Sequence, residues 1–281
     1  MDDSLYCLGI DSYGRWGNGS NTYINTSVAT PVDPGETYLD ISVTRRSVCG
    51  VTSSNKMKCW GTFKDGNLGT GDSLDHFSPT PIDSAESYAA IRSGGEYACG
   101  LTLIGEIKCW GYSMTSGGTF TTILQPQTIS APLEVFTQLS VAPTFACAIR
   151  SDSRVLCWGS NSSGRLGTGN STPSDIPVLT ADTDAYSSIT TGNDSSCGVT
   201  TANVTKCWGS IFGWAIYNYP AVYPSPTNSF MANADNFSSY SNYLVGIASD
   251  GSLSWAYRNS RLPGFTGATR YFEHVQGLVD R

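Results

Sequence analysis

Apolar and β-branched residues flank short polar tips at four places along the chain: Ser53-Ser54-Asn55, Ser151-Asp152-Ser153, Thr201-Ala202-Asn203 and Asp250-Gly251. Polar tips between apolar runs are turn signals, and each predicts a β-hairpin. A further strand is predicted ahead of the hairpins. An aromatic residue (Tyr38, Tyr88, Phe136 or Tyr186) stands 11 residues before a cysteine, and three residues after it comes Ile41, Ile91, Leu139 or Ile189.

These hairpins are copies of one another. Cys49-Gly-Val-Thr followed by Lys58-Cys59-Trp60-Gly61 returns as Cys99-Gly-Leu-Thr with Lys108-Cys109-Trp110-Gly111. It returns again as Cys147-Ala-Ile-Arg with Leu156-Cys157-Trp158-Gly159, and as Cys197-Gly-Val-Thr with Lys206-Cys207-Trp208-Gly209. A degenerate copy runs from Val245 to Ala256, and Cys7-Leu8-Gly9 is the tail of another. The sum is six units of about 47–50 residues. Three or four short strands per unit, repeated six times, predict an all-β fold, a six-bladed β-propeller forming a single domain over residues 1–281. Counting residues through both ends lays Met1–Cys7 over Ala248–Ser254. The expectation is therefore that a C-terminal strand at 271–281 completes the blade begun by residues 1–9, hiding two edges that an open array would expose. A boundary placed at a repeat junction of a longer array is the alternative.

Composition narrows the function. Only 14% of the residues are charged, against roughly 25% in an ordinary soluble domain. The net charge is −7, which argues against a nucleic-acid partner, because such a partner calls for a basic stripe. No apolar run reaches the roughly 18 residues of a membrane span. Aromatic residues make up 11% of the chain, enough to bury a core, which argues against disorder.

Eight of the nine cysteines form four Cys-x9-Cys pairs. With a three-residue tip, Cys49 lies opposite Cys59, Cys99 opposite Cys109, Cys147 opposite Cys157 and Cys197 opposite Cys207. Directly opposed, non-hydrogen-bonded residues have Cα atoms about 4.5 Å apart, within disulfide range. Zinc is the weaker reading, since the spacing is not Cys-x2-Cys and the chain has only His76 and His274. Four cross-hairpin disulfides imply an oxidising compartment, secreted or extracellular. Cys7 is left over as an unpaired thiol, either buried and inert or linked to another chain or segment. Repeat counting places Val279 opposite it and a local match places Gln276 there; neither can bridge. Glycan acceptor motifs at Asn18, Asn25, Asn161, Asn170, Asn193, Asn203 and Asn236 point the same way, although the motif alone is weak.

The string Cys157-Trp-Gly-Ser-Asn-Ser-Ser-Gly-Arg-Leu-Gly-Thr-Gly169 resembles the repeat of the regulator-of-chromosome-condensation family of β-propellers. Gly66-Asn-Leu-Gly-Thr-Gly71 matches the same turn, and Gly9-Ile-Asp-Ser-Tyr-Gly14-Arg-Trp-Gly17 matches it in part. The paired cysteines are similar to the extracellular branch, which includes crinkly-type receptor ectodomains and secreted bacterial repeat proteins. The resemblance implies seven blades where six are counted. The units beginning at Gly111, Gly209 and Ala256 lack the glycine turn. Nuclear members of the family exchange nucleotides on a small GTPase and contact chromatin. Disulfides do not suit a nuclear protein, and nothing here corresponds to a basic tail, so that activity is not expected of this chain.

Catalytic signatures do not stand out: no nucleophile elbow, phosphate loop, zinc-protease helix or dinucleotide fingerprint is present. Neither a metal nor a cofactor is expected. The unusual stretch is the one that replaces a glycine turn, with Phe212, Trp214, Tyr217, Tyr219 and Tyr223 close together and prolines between them. Such aromatics either fill space between blades, anchor a protein interface or stack on sugar. The expected function is that of a non-enzymatic secreted glycoprotein, a structural or interaction subunit of an extracellular assembly. Its partners would be covalent glycans and protein, either another extracellular protein or copies of itself in a filament. A lectin-like propeller and a protein-ligand-binding ectodomain or inhibitor are the alternatives.

Overall fold

A computed structural model describes residues 4–114, 118–129, 131, 134–211, 221–228, 234–240, 243–248 and 253–257. Side chains are described as far as residue 210. All regular structure among these residues is β. Internal contacts divide the chain into Met1–Phe145 and Ala146–Arg281.

In the first unit, β1 (Ser4–Asp11), β2 (Ile24–Val43), β3 (Ser47–Thr52), β4 (Met57–Gly61) and β5 (His76–Ile82) form a sheet in the order β1-β2-β3-β4-β5. The sequence neighbours β6 (Tyr88–Ser93), β7 (Tyr97–Thr102), β8 (Ile107–Met114) and β9 (Phe120–Thr128) form the next sheet, also in chain order. The long β2 serves two repeats. Its first part pairs with β1, and Tyr38–Val43 pairs with β3. A third sheet follows chain order through β10 (Phe136–Val141), β11 (Phe145–Arg150), β12 (Val155–Gly159) and β13 (Ser174–Leu179). The second unit continues with a sheet of β14 (Tyr186–Thr191), β15 (Ser195–Thr200), β16 (Thr205–Ile211) and β17 (Ala221–Asn228). It ends with a sheet of β18 (Ala234–Tyr240), β19 (Tyr243–Ala248) and β20 (Leu253–Tyr257). All strand pairs with a recorded register are antiparallel, as short connections demand.

The repeats read from the sequence thus exist as strands. β1, β4, β8, β12, β16 and β20 are equivalent third strands, and β1 is followed by its fourth strand but preceded by neither a first nor a second among the described residues. The segment 271–281, expected to complete that sheet, lies outside the described residues. In the copy ending at β20, Val245 stands opposite Trp255, at the place that a cysteine pair takes in the other hairpins.

One irregularity recurs. Cys59 opposes Thr80, yet Gly61, two residues on, opposes His76. The same bulge follows Cys7, Cys109, Cys157 and Cys207, ahead of Gly9, Gly111, Gly159 and Gly209. Each of these glycines has positive φ, between 90° and 120°. A Cβ on Gly61, Gly111 or Gly209 would collide with the carbonyl of Arg46, Glu96 or Asp194. The glycine two residues after the cysteine is therefore demanded by the bulge that re-aims the chain at these five third strands.

The core of each repeat is built on its hairpin. One cluster comprises Cys49, Val51, Met57, Cys59, Leu68, Ile82, Tyr88, Ile91, Ala98 and Trp110, all 3% exposed or less. Trp60, Trp110, Trp158 and Trp208 are among the largest fully buried side chains.

Candidate functional site

The four cysteine pairs form disulfides, with Cα separations of 4.0–4.1 Å. They join directly opposed residues, as at Cys49–Cys59, Cys99–Cys109 and Cys197–Cys207. All eight sulfurs are in residues 3% exposed or less. Cys7 is free and half-buried. Burial and the nearby Asp11 carboxylate push its thiol pKa upward, which keeps it protonated and a poor nucleophile.

In three repeats the tryptophan after the second cysteine packs under the glycine turn of the preceding repeat. Gly17, Gly69 and Gly167 lie against the indoles of Trp60, Trp110 and Trp208, with φ of 65–70°. Trp60 donates to the Arg15 carbonyl at 2.7 Å and Trp110 to the Asn67 carbonyl at 3.1 Å. The turns are themselves anchored from within. Buried Asp11 accepts from the backbone N–H of Tyr13, Arg15 and Trp16, and Asn161 accepts from that of Leu166.

A charged clamp, not foreseen from the sequence, ties the third strand to the stretch just ahead of the first strand in three repeats. The Lys58 ammonium lies 2.7 Å from Asp33 and 2.9 Å from Glu36, and Tyr38 donates its hydroxyl to Asp33 at 2.7 Å. Lys108 meets Asp83 and Glu86, with the Tyr88 hydroxyl on Asp83 at 2.6 Å. Lys206 lies 2.6 Å from both Asp182 and Asp184, with Tyr186 on Asp182 at 3.3 Å. Burial works against the charge of Lys58 and Lys206, yet hydrogen bonds to their carboxylates outweigh it and raise both ammonium pKa values. The fourth repeat replaces the set together: Phe136 stands for the tyrosine, Leu156 for the lysine, and Ala131 lies five residues before Phe136, where Asp83 lies before Tyr88. An Asp four or five residues before the Tyr, with Lys before the second Cys, was the available signal.

The glycan motifs fall in different settings. Asn18, Asn25, Asn170, Asn193 and Asn203 are exposed, Asn203 at a hairpin tip. Asn161 is only 1% exposed, and its amide nitrogen donates to Thr168, Asn170 and Thr172. A glycan on that nitrogen would break these bonds. Asn236 lies in β18, and its side chain is outside the described residues. Phe212, Trp214, Tyr217 and Tyr219 also lie outside them. Tyr223 is placed in β17 opposite Gly209, without its side chain.

Loops between the first and second strands occupy one position in the frame but carry different chemistry. They read Thr44-Arg45-Arg46, Gly94-Gly95-Glu96, Ala142-Pro143-Thr144 and Gly192-Asn193-Asp194. The Arg46 guanidinium sits 5.3 Å from the Tyr13 ring centre, so one of the two arginines is packed on an aromatic face. Among the described residues, no group of three or more His, Cys, Asp or Glu side chains could hold a metal ion. No helix among them is long and apolar enough to cross a membrane.

The regulator of chromosome condensation (RCC1) repeat matches residues 137–165 and again 152–199. Over residues 137–199 the chain is thus similar to the RCC1 repeat. Solved structures with RCC1-type or related folds match most of the chain. Human WBSCR16 is 15% identical, with a TM-score of 0.76 over 92% of this chain and 73% of its own. Yeast RCC1 (Prp20), solved bound to Kap60, is 17% identical, with a TM-score of 0.74 over 90% of this chain and 66% of its own. The CRINKLY WD40 ectodomain of the Arabidopsis thaliana receptor kinase ACR4 is 18% identical, with a TM-score of 0.51 over 83% of this chain. At these identities the likeness is one of fold, an RCC1-type β-propeller. The chain spans about two-thirds of the yeast protein. No curated protein matches the sequence.

Proposed function

We propose that this RCC1-type chain is an extracellular glycoprotein module that binds a protein partner through its loops and carries out no reaction of its own. The observation that carries the reading is the contrast between frame and loops. Hairpin, disulfide, bulge and tryptophan repeat in register, while the loops between first and second strands change from doubly basic at Arg45-Arg46 to acidic at Glu96 and Asp194 and uncharged at Pro143-Thr144. A rigid frame presenting varied loops suits recognition. Buried disulfides in four consecutive repeats favour an oxidising compartment, where such bonds persist. Solvent-facing Asn18, Asn170 and Asn203 would carry the glycans.

The test is secretion of the chain from eukaryotic cells, followed by proximity labelling against extracellular proteins and titration of the partner found. Replacing Arg45, Arg46, Glu96 and Asp194 by serine is expected to weaken that partner at least about tenfold while leaving the disulfides intact. Unchanged affinity would overturn the assignment of the surface to these loops.

A further inference from the structure

Two places in the frame share one geometry and differ in charge. Gly159, Asn161, Gly164, Arg165 and Gly167, after β12, reproduce Gly9, Asp11, Gly14, Arg15 and Gly17, after β1, position by position. The backbone agrees: Gly14 and Gly164 have φ of 68° and 70°, and Gly17 and Gly167 have φ of 65° and 70°. Asp11 accepts from the Trp16 N–H as Asn161 accepts from that of Leu166. The loops between first and second strands correspond as well. The Thr62 N–H donates to the Arg46 carbonyl at 2.9 Å, and the Ser210 N–H donates to the Asp194 carbonyl at 2.8 Å. Arg165 and Asp194 therefore hold the places of Arg15 and Arg46.

In the later pair the charges meet. The Arg165 guanidinium lies 2.8 Å from the Asp194 carboxylate and donates to the Asn193 carbonyl at 2.9 Å. In the earlier pair a cation stands where that acid would be. The Tyr13 ring centre is 5.8 Å from the Arg15 guanidinium and 5.3 Å from that of Arg46, so two like charges share one aromatic ring. Arg15 leans on Asp11 at 3.8 Å, but that carboxylate already accepts from three backbone N–H groups. Among the described residues no carboxylate pairs with Arg45 or Arg46. Arg45 is exposed.

The patch is held in place by the chain itself. Thr62 joins its two parts, with its N–H on the Arg46 carbonyl and its hydroxyl on the Tyr13 carbonyl at 3.0 Å. The Arg46 N–H donates to the Thr44 hydroxyl at 3.2 Å, and the Arg15 guanidinium donates to the Ile10 carbonyl at 2.9 Å. Groups fixed in this way lose little freedom when a ligand arrives.

We propose that Tyr13, Arg15, Arg45 and Arg46 receive an acidic peptide segment of the protein partner. One of its carboxylates stands to Arg15 and Arg46 as the Asp194 carboxylate stands to Arg165. Guanidinium groups match carboxylates in shape as well as charge. A short segment suits the patch better than a long polyanion. The chain carries a net charge of −7, and Glu96 holds the place of Arg46 in the next repeat, where its carbonyl accepts from Tyr112. A polyanion running beyond the patch would meet that repulsion. The inference rests on the reading that the loops bind a protein, and it names what the basic loop takes.

The probe is a fluorescein-labelled peptide with the centre Glu-Asp-Glu, titrated by anisotropy against the full chain with its disulfides intact. It is expected to bind at least about tenfold tighter than the same peptide with Gln-Asn-Gln at its centre, and to weaken as salt is added. Arg46→Asp gives Arg15 an internal acid in the manner of Asp194, so the variant should fold and bind the two peptides equally. Arg46→Ser, which only removes the charge, should weaken the acidic peptide at least about threefold. Arg150→Asp makes the same change of charge at the β11–β12 tip and should leave binding unaltered. Equal affinity of the wild type for the two peptides would overturn the proposal. So would undiminished binding by Arg46→Ser, or an equal loss in Arg150→Asp. A heparin-like polysaccharide that binds more tightly than the peptide and depends on Arg46 would assign the patch to a polyanion and overturn it too. Should the peptide fail while the loop substitutions still weaken the whole partner, the loop reading stands and this one falls.

Discussion

At the scale of single residues, the repeat is held by contacts that tolerate little change. Gly69 sits on the Trp110 indole with φ of 68°, so a Cβ there meets both a strained backbone and a filled space. Gly69→Ala is expected to cost about 2–4 kcal/mol, read from urea unfolding. The lysine clamp behaves differently. Lys108→Leu alone strands Asp83 beside the Tyr88 hydroxyl and should cost about 1–3 kcal/mol. The triple change Tyr88→Phe, Lys108→Leu and Asp83→Ala should recover most of that loss, because the fourth repeat already uses Phe136, Leu156 and Ala131. Titration gives a second check. Burial opposes the charge of Asp182, but the hydrogen bond from Lys206 outweighs it and lowers its pKa. Its contribution is present above the ordinary aspartate value of 3.8 and is lost as pH falls through the lower folded value. The raised Lys206 acts in the opposite sense: its contribution holds below 10.5 and is lost above it, as pH rises through the folded value. Thermal melts of wild type and Asp182→Asn should therefore differ at neutral pH and converge in strong acid.

At the scale of the element, four of the repeats are four-stranded meanders whose middle hairpin is stapled. Removing one staple, as in Cys99→Ala with Cys109→Ala, lengthens the free loop of the unfolded chain and should lower stability by about 3 kcal/mol at most. Calorimetry under non-reducing conditions reads this directly. The hairpins were legible because their tips, cysteines and β-branched flanks are local signals. The strand preceding each hairpin was legible from the aromatic and the aliphatic three residues later. The clamp escaped notice because its partners stand 22–25 residues apart in sequence, as Lys58 with Glu36 and with Asp33 do, and only folding brings them together. The bulge also escaped notice: the glycine that makes it reads, in sequence, as part of a motif without a reason.

At the scale of the molecule, burial sorts residues that look alike in the sequence. Seven asparagines share one acceptor motif, yet Asn161 spends its amide on Thr168, Asn170 and Thr172. Glycopeptide mass spectrometry of the secreted chain should find Asn161 unmodified, with occupancy at Asn18, Asn170 and Asn203. A glycan at Asn161 would require the Gly164–Thr172 turn to form after modification. The free cysteine is sorted in the same way. In sequence, Cys7 is merely the odd one among nine; in the fold it occupies a third-strand place beside a cavity lined by Leu5, Trp16, Ile41 and Val48.

The sequence alone determined the repeat, its all-β character and the four disulfides, because each rests on periodicity and on partners ten residues apart. Tertiary structure decided which glycines are obligatory, which asparagines are open, and how lysine, acid and tyrosine meet. Those properties depend on what a neighbouring strand or repeat presses against a residue, and that neighbour is chosen only when the chain folds.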